Sequence, residues 1–234
     1  ANDNAGLRSH HLSFTVDGGQ DFVFIDSVLA EMSSYAWQVP DSLVSGDCQI
    51  RIVSYDLVGL SDSDTSGNFT ISDGIPPVVH QITPDSISIP EYEDLSVTWD
   101  ATDNIGLDSV QVHYSNDGGS TFDLMGILAG NMTQFSFLIP AGITESAVMQ
   151  LVAVDLAGNE GEGLSDFFSV TDNTPPTVEM DTPGNVSIGT DVELSWTAED
   201  NSGFQSHHLY FSGETGQAFA LLDSMGGFDS VYVW

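Results

Sequence analysis

The chain has 234 residues, with 41% hydrophobic, 10% aromatic and only 16% charged side chains. This is enough for one large or two to three small globular domains, and the composition is not that of a disordered chain. Thirty-five acidic residues stand against two arginines, Arg8 and Arg51, for a formal net charge of −33. With no lysine, Schiff-base and P-loop chemistry are excluded. The charge opposes nucleic acid and anionic membrane surfaces as partners and favours cations. Cys48 is the one cysteine, which excludes an intrachain disulfide and a cysteine-rich zinc site. No apolar run reaches the ~18 residues of a membrane span, and no signal peptide is visible.

The sequence repeats along its length. Ala1–Trp37 matches Ala198–Trp234 without a gap at an offset of 197, with 17 of 37 positions identical. A middle copy begins at Ala101-Thr102-Asp103-Asn104. Asp73-Gly74-Ile75-Pro76-Pro77 returns as Asp172-Asn173-Thr174-Pro175-Pro176, and Asp56-Leu57-Val58-Gly59 as Asp155-Leu156-Ala157-Gly158. The double prolines fix φ and remove donors, so they read as linkers. The expected units are a partial repeat over 1–75 lacking its first strands, a complete repeat over 76–174, and a partial repeat over 175–234 lacking its last strands. Such a chain is expected of a window on a longer array.

In chain order, the complete repeat reads as about seven short strands. Val78–Ile82 opens it. Leu95–Trp99 follows, with Leu95, Val97 and Trp99 on one face at period two. Ser109–Tyr114 turns Val110, Val112 and Tyr114 inward. Asn116-Asp117-Gly118-Gly119 suits a hairpin turn with positive φ. Phe122–Met125, Phe135–Ile139, Met149–Val154 and Phe167–Val170 complete the set. Helical periodicity is missing throughout. The fold expected is all-β: tandem immunoglobulin-like (fibronectin type III-like) seven-stranded β-sandwiches.

The Leu-x-Val-x-Trp strand, the Leu151–Asn159 run and the Asp-Asn-Thr-Pro-Pro linker resemble tandem bacterial immunoglobulin-like and fibronectin type III-like repeats of secreted and cell-surface proteins. The paired cysteines and tyrosine corner of antibody domains are lacking. The resemblance implies an extracellular or cell-surface location and calcium at the joints between repeats.

The residues point the same way. Calcium takes six to eight oxygen ligands. At one end of such a sandwich the sequence would gather Asp100, Asp103 and Asn104 from one loop, and Asp155, Asn159, Glu160 and Glu162 from another. Asp73 of the linker would join them. Unpaired, these carboxylates repel one another, and a divalent cation would remove that cost. Asp3, Asn4 and Asp56 form part of the same set in the first repeat, and Asp172, Asp200 and Asn201 in the third. In the first repeat Leu60 replaces the counterpart of Asn159. The competing reading is turn chemistry alone, since Asp, Asn and Gly are good turn residues.

No Gly-x-Ser-x-Gly, His-Glu-x-x-His or Walker motif is found, so no enzyme is expected within this segment. His10-His11 and His207-His208 alternate in and out along their strands, so His10 and His207 read as packed residues. Trp37, Trp99, Trp196 and Trp234 read as core, and Cys48 as a small apolar filler. The expected function is a non-catalytic segment of a long extracellular fibre, filament or adhesin shaft. Its partners would be neighbouring or self-associating repeats and divalent cations, with no nucleic acid and no membrane insertion. The alternative is a spacer or binding module appended to a secreted hydrolase. Long filaments in electron micrographs would favour the first reading, and discrete particles the second.

Overall fold

A computed structural model describes residues 6–213 and 217–234 of the chain. The first repeat contributes β1 (Leu7–Thr15), β2 (Val23–Leu29), β3 (Ser45–Asp56), β4 (Ser61–Thr65) and β5 (Phe69–Ile71). The second holds β6 (Val78–Pro84), β7 (Ser88–Pro90), β8 (Asp94–Thr102), β9 (Leu107–Ser115), β10 (Asp123–Ala129), β11 (Gln134–Leu138), β12 (Thr144–Asp155), β13 (Glu160–Leu164) and β14 (Phe168–Thr171). The third holds β15 (Thr177–Met180), β16 (Glu193–Glu199), β17 (Ser206–Phe211), β18 (Ala220–Gly226) and β19 (Val231–Val233). Among the described residues no strand ladder joins one group to another.

The middle group is a two-sheet sandwich. One sheet runs β10-β9-β12-β14-β7 with β13 also on β12, and the facing sheet runs β11-β8-β6. Period-two alternation builds the core between them. Leu95, Val97 and Trp99 of β8 face Val110, Val112 and Tyr114 of β9 and Met149, Leu151 and Ala153 of β12, all buried. Each buried aliphatic side chain contributes roughly 1.5–3 kcal/mol.

The strands expected from sequence are present, most of them longer than expected. Two were not expected. Segment β7 adds in parallel to β14, with Ile89 opposite Val170. Strand β13 has the sequence Glu-Gly-Glu-Gly-Leu, which lacks strand propensity. It forms because β12 is 12 residues long and offers its edge beyond β14. The repeat therefore carries nine strands rather than seven.

The glycines of β13 serve a close approach. A Cβ at Gly161 would lie 1.9 Å from the Pro77 carbonyl oxygen, and one at Gly163 would lie 2.8 Å from Val79 Cγ1. The Pro-Pro linker is thereby pressed against β13 as it enters the second repeat.

The first repeat forms one sheet, β2-β1-β3-β4 with β5 on β3, and the third forms β15-β16-β19 and β17-β18. His10 is buried as expected, with Nδ1 2.8 Å from Ser54 Oγ and Nε2 3.3 Å from the Ala30 carbonyl. His207 packs at 5.6 Å against Trp196 and bonds the Gly227 carbonyl at 3.2 Å. Cys48 is buried and free within β3. Trp99 and Trp196 are buried, but Trp234 is 45% exposed and leans on Phe211 at 4.6 Å between ring centres.

Candidate cation site at the joint of the first two repeats

Three carboxylates meet where the first repeat ends and the second begins. Ligand atoms of Asp73, Asp103 and Asp155 all lie within 4.8 Å of one another. Strand parity explains how two of them arrive. On β12 the inward residues are Ala147, Met149, Leu151 and Ala153, and the next of that parity is Asp155, 2% exposed. On β8 the inward series is Leu95, Val97, Trp99 and Ala101, and the next is Asp103. The alternation that fills the core thus delivers a carboxylate beyond its end from each sheet. Asp73 comes from the linker.

Turns fix these side chains. The backbone N–H groups of Ala157 and Asn159 both donate to Asp155 Oδ1 at 2.8 Å, across a turn with Gly158 at φ 89°. Those of Ile105 and Gly106 donate to Asp103 Oδ1 at 2.9 and 3.1 Å. Two amides brace the group. Asn159 Nδ2 donates to Asp155 Oδ2 at 2.7 Å and to Asp73 Oδ2 at 3.3 Å. Asn104 Nδ2 donates to Asp73 Oδ1 at 2.9 Å and to the Asp41 carbonyl of the first repeat at 2.7 Å.

The remaining acceptors have no donor. Asp103 Oδ2 and Asn104 Oδ1 are buried atoms without a hydrogen-bond partner. An unpaired buried acceptor costs free energy, and acidic groups this close disfavour one another's ionisation. Neither arginine supplies the missing charge: both belong to the first repeat, on β1 and β3, and the Arg51 guanidinium lies 3.7 Å from the centre of the Phe22 ring. Burial pushes the Asp155 carboxyl up, but the donors from Asn159 and Ala157 hold it below the ordinary aspartate value.

Asp73, Asp103, Asn104, Asp155 and Asn159 are thus brought together. Asp100 is not. It has the opposite parity on β8, is exposed, and sits beside Gln81 of β6. Glu160 and Glu162 belong to β13 rather than to a loop, and Glu162 Oε2 accepts from Gln150 Nε2 at 2.9 Å. In the first repeat Asp56 is 5% exposed and takes the N–H groups of Val58 and Leu60 at 2.9 and 2.7 Å, as Asp155 does in the second. Leu60 brings no amide there, and Asp3 and Asn4 lie outside the described residues.

At the second joint Ser202 Oγ lies 2.5 Å from Asp172 and 2.8 Å from Asp200. Asp200 Oδ1 is buried without a partner. Asn201 turns elsewhere: its Nδ2 donates to Glu91 Oε1 at 2.6 Å. Glu91, fully buried, is the joint residue that sequence reading missed. The one sequence signal was an acidic residue in the short segment ahead of the Leu95–Trp99 strand.

No protein-family model matches the sequence, and neither does any curated protein. Among solved structures, the chain is similar to the FN1-FN3 domains of chicken CNTN1 (11% identity, TM-score 0.37, all of this chain and 80% of that one). It is also similar to a tetra-tandem repeat in the extending region of a large adhesion protein (19% identity, TM-score 0.39), covering 97% of this chain and 57% of that one. A third likeness is to the fibronectin(III)-like modules of Clostridium thermocellum CbhA (19% identity, TM-score 0.29, 66% of this chain and 78% of that one). These are distant likenesses, so the site is read from this chain's own residues. The chain is all-β, of the immunoglobulin-like and fibronectin type III-like class. Among the described residues no helix is long and apolar enough to cross a membrane.

Proposed function

We propose that the chain is a non-catalytic, load-transmitting segment of an extracellular repeat protein, stiffened by calcium between its first two repeats. The observation that carries this is the meeting of Asp73, Asp103 and Asp155 within 4.8 Å, beside the donorless oxygens of Asp103 and Asn104. Three carboxylates and an amide oxygen are the hard ligands calcium prefers, and water completes its six to eight. The site includes a linker carboxylate and is braced by Asn104 onto the Asp41 carbonyl, so filling it would tie the two repeats together. The net charge of −33 keeps such an array soluble and its assembly responsive to cations.

Scanning calorimetry in calcium and then in chelator tests the reading. Binding to the folded state alone at 100 times Kd contributes about 2.7 kcal/mol. For a repeat of this size that raises the melting midpoint by roughly 10 °C. A midpoint unchanged by calcium, with Asp155→Asn behaving as the parent, would sink it.

A further inference from the structure

The second joint is built on a different principle. Glu91 follows β7 directly, and its side chain is fully shut off from solvent. A buried carboxylate is costly unless donors fill its lone pairs. Here they come from three separate segments. Gly142 N–H donates to Oε2 at 3.0 Å from within the second repeat. The Thr174 hydroxyl donates to Oε1 from the linker. Asn201 Nδ2 donates to the same oxygen at 2.6 Å from the third repeat. The linker adds Asn173 Nδ2, which donates to the Glu91 carbonyl at 3.4 Å.

The backbone is arranged to present this side chain. Tyr92 has φ 64° and is the one non-glycine at positive φ among the described residues. Its N–H donates to the Ile139 carbonyl at 2.9 Å, and Glu91 N–H donates to the Thr171 carbonyl at 2.9 Å. The strained turn is pinned on both sides and points the carboxylate into the joint.

We infer that Glu91 is a cation-independent lock between the second and third repeats, an acceptor socket into which the linker threonine and Asn201 plug. The contrast with the first joint is chemical. There, three carboxylates converge with acceptor oxygens left over; here, both oxygens of the Glu91 carboxylate are filled by donors. Asp172 and Asp200 flank the lock around Ser202, and Asp172 Oδ1 also accepts from the Thr174 N–H at 2.8 Å.

The lock is not part of every repeat. Aligning Trp99 with Trp196 places Tyr92 on Gly189, which also has positive φ, at 80°. The counterpart of Glu91 is then Ile188, a fully exposed apolar residue. The third repeat thus does not carry the glutamate that forms the lock in the second. Cation control of the first joint rests on the function proposed above; the Glu91 lock does not.

Spin labels on Asp123→Cys and Thr197→Cys, in a Cys48→Ala background of the full chain, measure the second joint. Both positions are exposed. With chelator present and no calcium, the distance distribution is expected to be narrow, and calcium should leave it unchanged. Glu91→Ala and Asn201→Ala should each broaden it at least twofold. Asn201→Ala lies outside the second repeat, so it remains informative if Glu91→Ala fails to fold. A distribution that is broad in chelator and narrows with calcium would overturn the lock, as would a narrow distribution in Asn201→Ala. Neither result touches calcium binding at Asp73, Asp103 and Asp155, which calorimetry reads separately.

Discussion

The two joints use the same loop chemistry to opposite ends. At the first, Asn104 reaches Asp73 and the Asp41 carbonyl, while Asp103 and Asp155 add two more carboxylates. At the second, the equivalent Asn201 reaches a buried glutamate already surrounded by donors. At the first the carboxylates outnumber their donors, whereas at the second the Glu91 carboxylate has both oxygens matched. The difference lies in what Asn104 and Asn201 meet across each joint. A carbonyl leaves the acceptor surplus in place, whereas a carboxylate in a ring of N–H and O–H groups consumes donors until the account closes. On the function proposed, tandem repeats of one fold can therefore differ in whether a joint calls for an ion.

The harshest way to break this comparison is to spoil the route by which Asp73 arrives. A methyl at Gly161 would meet the Pro77 carbonyl at 1.9 Å, so Gly161→Ala must push the linker outward. Overpacking of this kind costs about 1–3 kcal/mol. Chemical denaturation should show that loss, and titration calorimetry should show a weakened calcium response. A variant with parental stability and parental calcium binding would separate the linker from the site. The equivalent positions in the first repeat are Asp62 and Asp64.

Asn159→Leu copies the first repeat's Leu60 into the second. It removes the amide that braces Asp155 at 2.7 Å and Asp73 at 3.3 Å. Loss of a group that orients metal ligands weakens affinity about 10–100-fold. Isothermal titration should show that drop, with the second joint's spin-label distances unchanged. If affinity holds, Asn159 is turn structure only.

Much of this was legible in the sequence, and the failures are physical. Leu95, Val97 and Trp99, and Val110, Val112 and Tyr114, alternate strictly because both sheets bury one face, and the structure buries all six. The same alternation, carried past the strand ends, picks out Asp103 and Asp155 and turns Asp100 away. Asp100 was grouped with them by proximity in the chain, where parity would have separated it. Strand β13 was missed because its glycines answer to the pressure of Pro77 and Val79, a tertiary demand invisible in local propensity. Glu91 was missed for a related reason. A glutamate in a short acidic segment between strands ordinarily faces water, and only the convergence of Gly142, Thr174 and Asn201 makes Glu91 a hub.

Acid offers the gentlest probe, and its sign follows from the donors. The hydroxyl of Thr174 and the Gly142 N–H, opposed by burial and helped by Asn201, hold the Glu91 carboxyl below its ordinary 4.5. The Ser202 hydroxyl and the Thr174 N–H do the same for Asp172, and the donors around Asp155 outweigh its burial. A carboxyl whose folded value is lowered contributes stability that is present above its unfolded value and lost as pH falls through the folded one. Both joints should therefore hold unchanged from pH 8 down to about 5 and loosen only below about 4. The turn after β9 should outlast them, since the Thr121 N–H and the Ser115 and Thr121 hydroxyls push Asp117 down to about 2. Spin-label distances across the second joint, followed in chelator from pH 7 to 3, should broaden late and reversibly. Broadening already between pH 7 and 5 would mean that the joint rests on some group other than the Glu91 carboxylate.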